Sequence, residues 1–172
     1  SDLTKIVDAA LKRKGSVIIS RINNDHMKKL QKLLSKKGKV IASERARTLV
    51  VSRNRISNTK GKVGIITAGT SDIAVAEEAR LMVESMGCKV MKSYDVGIAG
   101  MHRIFPVLKE MVANEVDAIV VVAGMEGALA SVVSTMVDIP VIGVPTSVGY
   151  GFGSDGFAAL ASMLQSCTTG LA

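Results

Sequence analysis

The sequence predicts a three-layer α-β-α domain with a parallel, flavodoxin-like sheet, preceded by a small α+β appendage. The 172 residues are enough for one globular domain with a short addition. From residue 61 onward, short apolar stretches alternate with stretches of helical periodicity, which is typical of strand-helix-strand units. Aliphatic side chains and methionine supply most of the apolar mass while aromatic residues are only 3%, which suits buried parallel strands covered by helices.

Residues 1–60 predict a helix, a strand, a second helix and a second strand. Asp2 and Thr4 are suited to cap the first helix, and Asn23 or Asn24 the second. The second helix is apolar along one face and rich in lysine elsewhere, as expected of a helix packed on a core. In order, the predicted elements are a helix through residue 14, a strand over 17–20, a helix over 25–37, a strand over 48–51 and a polar linker over 53–61.

Residues 61–172 predict four strands, each followed by a helix. The strands are expected over residues 63–68, 89–94, 117–123 and 141–145, and the helices over 72–86, 104–113, 126–137 and 154–166. Because crossovers between parallel strands are right-handed, helices cover both faces of the sheet. We therefore divide the chain into a small basic domain, 1–60, and an α/β domain, 61–172, whose loops are the candidate site.

The net charge of +7 suggests a nucleic-acid-binding protein, but the charge is unevenly divided. Residues 1–60 hold 16 Lys and Arg against 4 Asp and Glu, whereas residues 61–172 hold 6 against 11. The basic residues have no aromatic partners for stacking bases and no recognised motif. We therefore expect no nucleic-acid partner.

Two cysteines, Cys88 and Cys167, are too few to form a disulfide framework or a zinc site. No stretch reaches the roughly 18 apolar residues that a membrane helix needs. These two features predict a cytoplasmic protein with reduced thiols and no membrane partner.

Ligands of such sheets bind beyond the carboxyl ends of the strands, where four glycine-containing loops lie. The first loop holds Thr67, Gly69, Thr70, Ser71 and Asp72 at the start of a helix. Backbone N–H groups and hydroxyls at a helix start form a phosphate cradle. Plain helix capping by one of the polar residues is the alternative.

The second loop carries Asp95, Gly97, His102 and Arg103. An imidazole beside a guanidinium at this edge suits proton transfer and anion binding. A solvated surface loop is the alternative interpretation.

The third loop carries Gly124, Met125, Glu126 and Gly127 directly after a buried strand. Its carboxylate is either a poised base or a partner of the helix dipole. The two glycines allow a ligand to approach the backbone closely, which favours the first interpretation.

The fourth loop begins with Thr146, Ser147 and Gly149 and continues into a G-x-G-x-x-G pattern over residues 151–156. As a dinucleotide fingerprint this pattern is weak, because it lies late in the sheet and several residues beyond its strand. A flexible glycine lid over a ligand fits better.

Cys167 follows the last predicted helix and enters a polar, glycine-containing stretch, whereas Cys88 lies between Gly87 and a strand. An exposed cysteine can act as a nucleophile, and a buried one is simply part of a core. Spacing alone does not identify the partner that would activate Cys167.

These loops resemble the LarB family of nicotinic acid adenine dinucleotide carboxylase/hydrolases. LarB enzymes make pyridinium-3,5-biscarboxylic acid mononucleotide, at the start of synthesis of the nickel-pincer cofactor of lactate racemase. The matching segments are TAGTSD at 67–72, YDVG at 94–97, GMHR at 100–103, VVAGMEGAL at 121–129, VPTSVGYG at 144–151 and SC at 166–167. The likeness spans nearly all of residues 61–172 and is weak over 1–60.

The resemblance implies carboxylation of the pyridinium ring at C5 by CO2, and cleavage of the phosphoanhydride with release of AMP. A thiolate, implied to be Cys167, adds at C4 and makes C5 nucleophilic. The resemblance implies Glu126 as the base for the C5 proton. His102 or Arg103 would assist at the phosphates or the carboxylate, and Asp72 or a nearby Mg²⁺ would activate water.

The resemblance further implies that the glycine and hydroxyl loops hold the ribotide phosphate. It implies no tightly bound organic cofactor, bicarbonate or CO2 as co-substrate, and a homo-oligomer. The family pattern continues beyond Cys167 with another strand, and the sequence leaves open whether the chain is trimmed after Ala172.

The sequence is similar as well to PurE-type aminoimidazole ribonucleotide carboxylases and mutases. These enzymes have a Ser-Asp pair like Ser71-Asp72 and a His-Arg pair like His102-Arg103. In the purine enzymes Thr-Pro follows the His-Arg pair, whereas here the chain continues as Ile104-Phe105-Pro106. Because an aminoimidazole is electron-rich and needs no thiolate to attack CO2, Cys167 favours the pyridinium substrate. PurE-type activity is kept as the alternative.

Overall fold

A computed structural model describes residues 2–54 and 56–172, without the side chain of Asp2. The capping prediction for Asp2 and the part of the linker prediction that falls on Arg55 lie outside this description. The elements are α1 (Asp2–Lys14), β1 (Ser16–Ile19), α2 (Asn24–Leu34), β2 (Lys39–Ser43), β3 (Thr48–Ser52), β4 (Lys62–Thr67), α3 (Ile73–Ser85), β5 (Lys89–Ser93), α4 (Ile104–Ala113), β6 (Ala118–Ala123), α5 (Ala128–Met136), β7 (Val141–Pro145) and α6 (Phe157–Leu164).

The N-terminal domain is an antiparallel sheet in the order β1-β3-β2, covered on one face by α1 and α2. Strand β2 is absent from the sequence prediction, and α2 ends at Leu34 rather than at residue 37. The other face of the sheet packs through Val50 against Leu81 of α3, so both faces are buried. The appendage is therefore docked on the larger domain.

The larger domain holds a parallel sheet in the order β5-β4-β6-β7. One apolar cluster joins this sheet to α4 and α5 and includes Met163 of α6, while a second cluster joins the opposite face to α3. The predicted three-layer α/β fold is confirmed. The bounds of α4 and β7 coincide with the prediction, whereas α3, α5 and α6 start later than predicted.

At α3 and α6 the later start has a common cause, because a 3-10 turn occupies the residues predicted to begin each helix. Short 3-10 turns over Thr70–Asp72, Ile98–Arg103 and Gly151–Gly156 stand between strand and helix. They lengthen three of the four loops at the carboxyl edge of the sheet, where ligands of such folds bind. Across the described ranges, no helix has both the length and the apolar character needed to cross a membrane.

Candidate active site

The loops after β4, β5, β6 and β7 meet at the carboxyl edge of the parallel sheet and enclose a cavity of about 280 Å³. Each loop contributes to its lining. The predicted site residues that line it are Gly69, Ser71, Asp72, Gly97, Gly124, Met125 and Glu126. The structure thus brings the first, second and third predicted loops together around one space.

Asp72 lies beneath the cavity with only 3% of its surface exposed. Its Oδ2 accepts a hydrogen bond from the Gly69 N–H at 2.9 Å, and its Oδ1 accepts one from the Thr146 hydroxyl at 2.7 Å. These two bonds join the first loop to the fourth. Both carboxylate oxygens therefore have protein donors, which compensates the cost of burying the charge.

Glu126 is exposed at the same cavity, on a loop shaped by its neighbours. Met125 and Gly127 on either side have φ of +53° and +67°. The Met125 N–H donates to the Val148 carbonyl at 3.0 Å, and a Cβ on Gly124 would lie 2.1 Å from the same oxygen. The loop is therefore pressed against the fourth loop, and Gly124 cannot be replaced by a larger residue without moving one of them.

Thr67 is fully buried, and its hydroxyl accepts a hydrogen bond from the Asp95 N–H at 3.0 Å. This bond ties the second loop to the end of β4, with Asp95 at φ +60°. A Cβ on Gly97 would lie 2.6 Å from the Ala68 carbonyl, so the two loops approach as closely as glycine allows. Thr67 and Asp95 shape the cavity from behind its lining.

His102 and Arg103 are exposed and do not line the cavity. The Arg103 guanidinium is 3.3 Å from the Asp95 carboxylate, and both groups are largely in solvent. The other predicted residues outside the lining are Thr70, Gly127, Thr146, Ser147 and Gly149. These residues lie on the loops that form the cavity but outside its lining, and their roles as binding residues stay predictions.

Cys167 is exposed at the opposite edge of the sheet. The segment after it returns to the amino end of β7, where the Val141 N–H donates to the Gly170 carbonyl at 2.8 Å. The thiol lines a separate groove of about 680 Å³, together with Asp138 and Pro140. The five residues of β7 alone span about 16 Å, and they separate the two edges of the sheet. Cys167 and Glu126 are therefore not in contact within one copy of the chain.

Within one copy of the chain, Cys167 and Glu126 therefore lie at opposite edges of the sheet, and their joint role in the reaction stays a prediction. A helix that follows a parallel strand carries the chain back to the amino edge, so a residue just after α6 belongs there. The predicted order of strands and helices already places Cys167 after such a helix, so its position at the amino edge could have been predicted from the sequence.

Comparison with known proteins identifies the family. A model of the AIR carboxylase family matches residues 62–171, which include the whole parallel sheet and all four loops. The chain belongs to the AIR carboxylase family. The family region ends with the C-terminal segment beside β7 and leaves the antiparallel N-terminal domain outside the match.

Relatives of this AIR carboxylase family member divide into two kinds. An uncharacterized protein of Methanocaldococcus jannaschii is 46% identical, over 99% of this chain and 68% of that protein. N5-carboxyaminoimidazole ribonucleotide mutases of Methanocaldococcus jannaschii and Thermotoga maritima are 31% and 28% identical, over 59% of this chain and 60% of each mutase. The similarity to the mutases thus covers a smaller share of this chain than the match to the family model does.

The predicted Mg²⁺ near Asp72 stays a prediction. Both oxygens of Asp72 accept hydrogen bonds from protein donors, and residues 2–54 and 56–172 contain no group of three His, Cys, Asp or Glu side chains arranged to hold a metal. We therefore assign no step to a metal.

Sequence reasoning missed the apolar part of the cavity lining. Ile98 and Ala99 face the cavity from the second loop, Leu129 from the start of α5, and Val148 from the fourth loop. Ligand sites are mostly apolar with a few polar groups that fix orientation. Since small apolar residues occur throughout this chain, only their position in the loops could have singled them out.

Proposed function

We propose that this protein carboxylates the pyridinium ring of nicotinic acid adenine dinucleotide at C5 with CO2 and hydrolyses the phosphoanhydride, giving pyridinium-3,5-biscarboxylic acid mononucleotide and AMP. The observation that carries the proposal is the position of Glu126. Among the described residues that line the cavity, it is the only exposed ionisable side chain. Carboxylation of an aromatic carbon requires removal of a ring proton, and a free carboxylate over an apolar cavity suits that task.

The remaining residues of the cavity suit a ribotide. Gly69, Thr70 and Ser71 stand where the first loop enters α3, and the hydroxyls of Thr70 and Ser71 are exposed. Backbone N–H groups at the start of a helix favour a phosphate. The apolar side chains of Ile98 and Leu129 offer a dry surface to a ring.

The proposed carboxylation proceeds by addition of a thiolate to the ring and its departure after C5 has reacted. Sulfur adds to C4 of the pyridinium, and the electron pair of the ring makes C5 nucleophilic. C5 forms a bond with CO2, Glu126 takes the C5 proton, and the C4–S bond breaks as aromaticity returns. We propose that the thiolate is Cys167 of a second copy of the chain in a homo-oligomer, because Cys167 of the same copy lies at the opposite edge of the sheet.

The test is incubation of the protein with nicotinic acid adenine dinucleotide and bicarbonate, followed by mass spectrometry for AMP and the doubly carboxylated mononucleotide. We expect both products from the natural sequence. In Cys167→Ala and Cys167→Ser variants we expect carboxylation to fall below detection, and a variant that retained it would rule out the thiolate mechanism. The Cys88→Ala variant is the control, because Cys88 is half-buried beside Thr59, away from the cavity.

The second candidate is a mutase acting on N5-carboxyaminoimidazole ribonucleotide. The two mutases among the relatives, at 31% and 28% identity, favour it. A true ligand raises the melting temperature of the protein that binds it. Protection by N5-carboxyaminoimidazole ribonucleotide, without protection by nicotinic acid adenine dinucleotide, would favour the mutase.

A further inference from the structure

Aromatic side chains are scarce in this chain, and most of them lie in one exposed segment. The sequence contains 2 Tyr, 3 Phe and no Trp. Tyr150, Phe152 and Phe157 lie within the segment 150–157, here called the aromatic loop, and are 79%, 103% and 75% exposed. Aromatic rings gain most from burial, so rings left in water indicate a surface that a ligand or partner covers.

The aromatic loop borders the candidate active site. A Cβ on Gly153 would lie 3.1 Å from the Cα of Met125, and one on Gly149 would lie 3.3 Å from its sulfur. Met125 lines the cavity and precedes Glu126. Tyr150 and Phe152 lie between these two contact points along the chain, so their backbone runs beside the rim of the cavity.

The cavity is too small for a whole dinucleotide. Sites that enclose a drug-sized molecule measure about 300–1,000 Å³. At about 280 Å³, the cavity has room for the nicotinate ribotide half beside Glu126 and leaves the adenosine half outside. The adenosine half would then lie outside the cavity, on the side of the fourth loop where the aromatic loop runs.

We propose that Tyr150 and Phe152 form a stacking platform for the adenine ring of the dinucleotide. The inference rests on the proposed function, whose substrate contains this base. Stacking on Phe or Tyr needs no hydrogen-bond donors and suits any base. Gly151, at φ +59° with open space around its Cα, and Gly153 flank Phe152, so the backbone can turn its ring toward the base.

The test measures affinity by calorimetry with three probes: nicotinic acid adenine dinucleotide, AMP and nicotinic acid mononucleotide. The variants are Tyr150→Ala, Phe152→Ala and the double variant. Phe105→Ala is the matched control, because Phe105 is an exposed phenylalanine on α4, away from the cavity lining. All three side chains changed are exposed, so folding is expected to be unaffected. Light scattering reports the oligomeric state of each variant.

Loss of one stacking ring is expected to weaken binding of the dinucleotide and AMP about 5- to 150-fold while binding of the mononucleotide and the control variant stay unchanged. Unchanged AMP binding in the double variant, or no AMP binding by the natural sequence, would overturn the inference. A change of oligomeric state with equal losses for all three probes would overturn it too, and would assign these rings to a subunit interface.

These outcomes are separable from failure of the proposed function. Ring-dependent binding of AMP without carboxylation would support the adenine platform and refute the proposed reaction. Carboxylation that is insensitive to both rings would support the reaction and refute the platform.

Discussion

Asp72 and Glu126 are the two carboxylates of the cavity, and their surroundings separate their roles. Asp72 is buried with both oxygens hydrogen-bonded, while Glu126 is exposed with neither oxygen committed to a protein donor among the described residues. A base must have a free lone pair within reach of the proton that it removes. We therefore propose a structural role for Asp72, in place of the predicted catalytic one, and a chemical role for Glu126.

We predict that Asp72→Asn destabilises the fold. One oxygen of the carboxylate becomes an NH2 group, which faces either the Gly69 N–H or the Thr146 hydroxyl and leaves a buried polar group without its partner. The expected loss in the free energy of unfolding is about 1–3 kcal/mol, measured by urea denaturation. Asp95→Asn is the control, since its contact with Arg103 is solvent-exposed and worth about 0–1 kcal/mol. Equal stability of Asp72→Asn and the natural sequence would contradict this structural role.

We predict that Glu126→Gln abolishes most turnover without affecting stability. The amide keeps the size of the side chain and removes the base, which typically costs a factor of about 10² to 10⁴ in rate. Because Glu126 is exposed, the free energy of unfolding should change by less than about 0.5 kcal/mol. Initial rates of product formation give the first quantity, and urea denaturation the second. Turnover at the natural rate would exclude Glu126 as the base.

At the scale of elements, α3 joins the two domains. Leu81 of this helix packs against Val50 of the antiparallel sheet. A few residues earlier, Glu77 accepts hydrogen bonds from Arg80, Lys92 and Tyr94, which links α3 to β5 and the residue after it. Burial opposes ionisation of Glu77, but these hydrogen bonds outweigh burial and lower its pKa to about 2. Burial and the contact with Glu77 raise the pKa of Tyr94.

The lowered pKa of Glu77 predicts a pH-dependent contribution to stability. The unfolded chain protonates this carboxyl near pH 4.5 and the folded one near pH 2, so the stabilisation is complete above about pH 5 and is lost as the pH falls toward 2. At pH 7 we expect Glu77→Gln to lose up to about 3 kcal/mol in the free energy of unfolding. Urea denaturation at a series of pH values should show this difference shrinking between pH 5 and pH 3.

Glu78→Gln is the control for this series, because Glu78 makes none of the hydrogen bonds of Glu77. A difference between Glu77→Gln and the natural sequence that stayed constant across the series would show that the ionised form is not preferentially stabilised.

The elements that sequence reasoning predicted best are those of the parallel domain. Strand β6, which is buried on both faces, is recognisable as a continuous apolar run, and α4 is recognisable from the regular spacing of its apolar residues. Strand β2 was not predicted, because Lys39–Ser43 is short, follows a lysine-rich helix and contributes only partly buried side chains. The 3-10 turns were not predicted, because loop conformation depends on contacts between segments that are distant in sequence, such as the contact of Gly97 with Ala68.

At the scale of the whole molecule, the sequence predicted which loops meet. It did not predict that Cys167 and Glu126 lie at opposite edges of the sheet in one copy of the chain. Loops that follow parallel strands must gather at one edge, and the cavity beside Gly69, Gly124 and Glu126 confirms this part of the prediction. The position of Cys167 depends on where α6 ends relative to β7, which requires the topology as well as the motif. If one reaction uses both Cys167 and Glu126, the two residues must therefore come from different copies of the chain.

We predict that two inactive variants restore activity when their subunits are mixed. If Cys167 of one copy acts on a ring held over Glu126 of another, Cys167→Ala and Glu126→Gln each inactivate every site in a uniform assembly. In a randomly mixed 1:1 assembly, about a quarter of the sites pair an intact Cys167 with an intact Glu126 from different copies. Activity should therefore recover to about a quarter of the natural level after unfolding and refolding together.

Two controls separate assembly from simple mixing. The variants combined without refolding should stay inactive until subunits exchange, and the double variant Cys167→Ala/Glu126→Gln refolded with either single variant should stay inactive. Complementation works only when the two residues come from different chains, because no chain in the mixture carries both. Persistent inactivity of the refolded mixture, with each single variant inactive and the natural sequence recovering after the same treatment, would mean that Cys167 and Glu126 do not act on one substrate across a subunit interface.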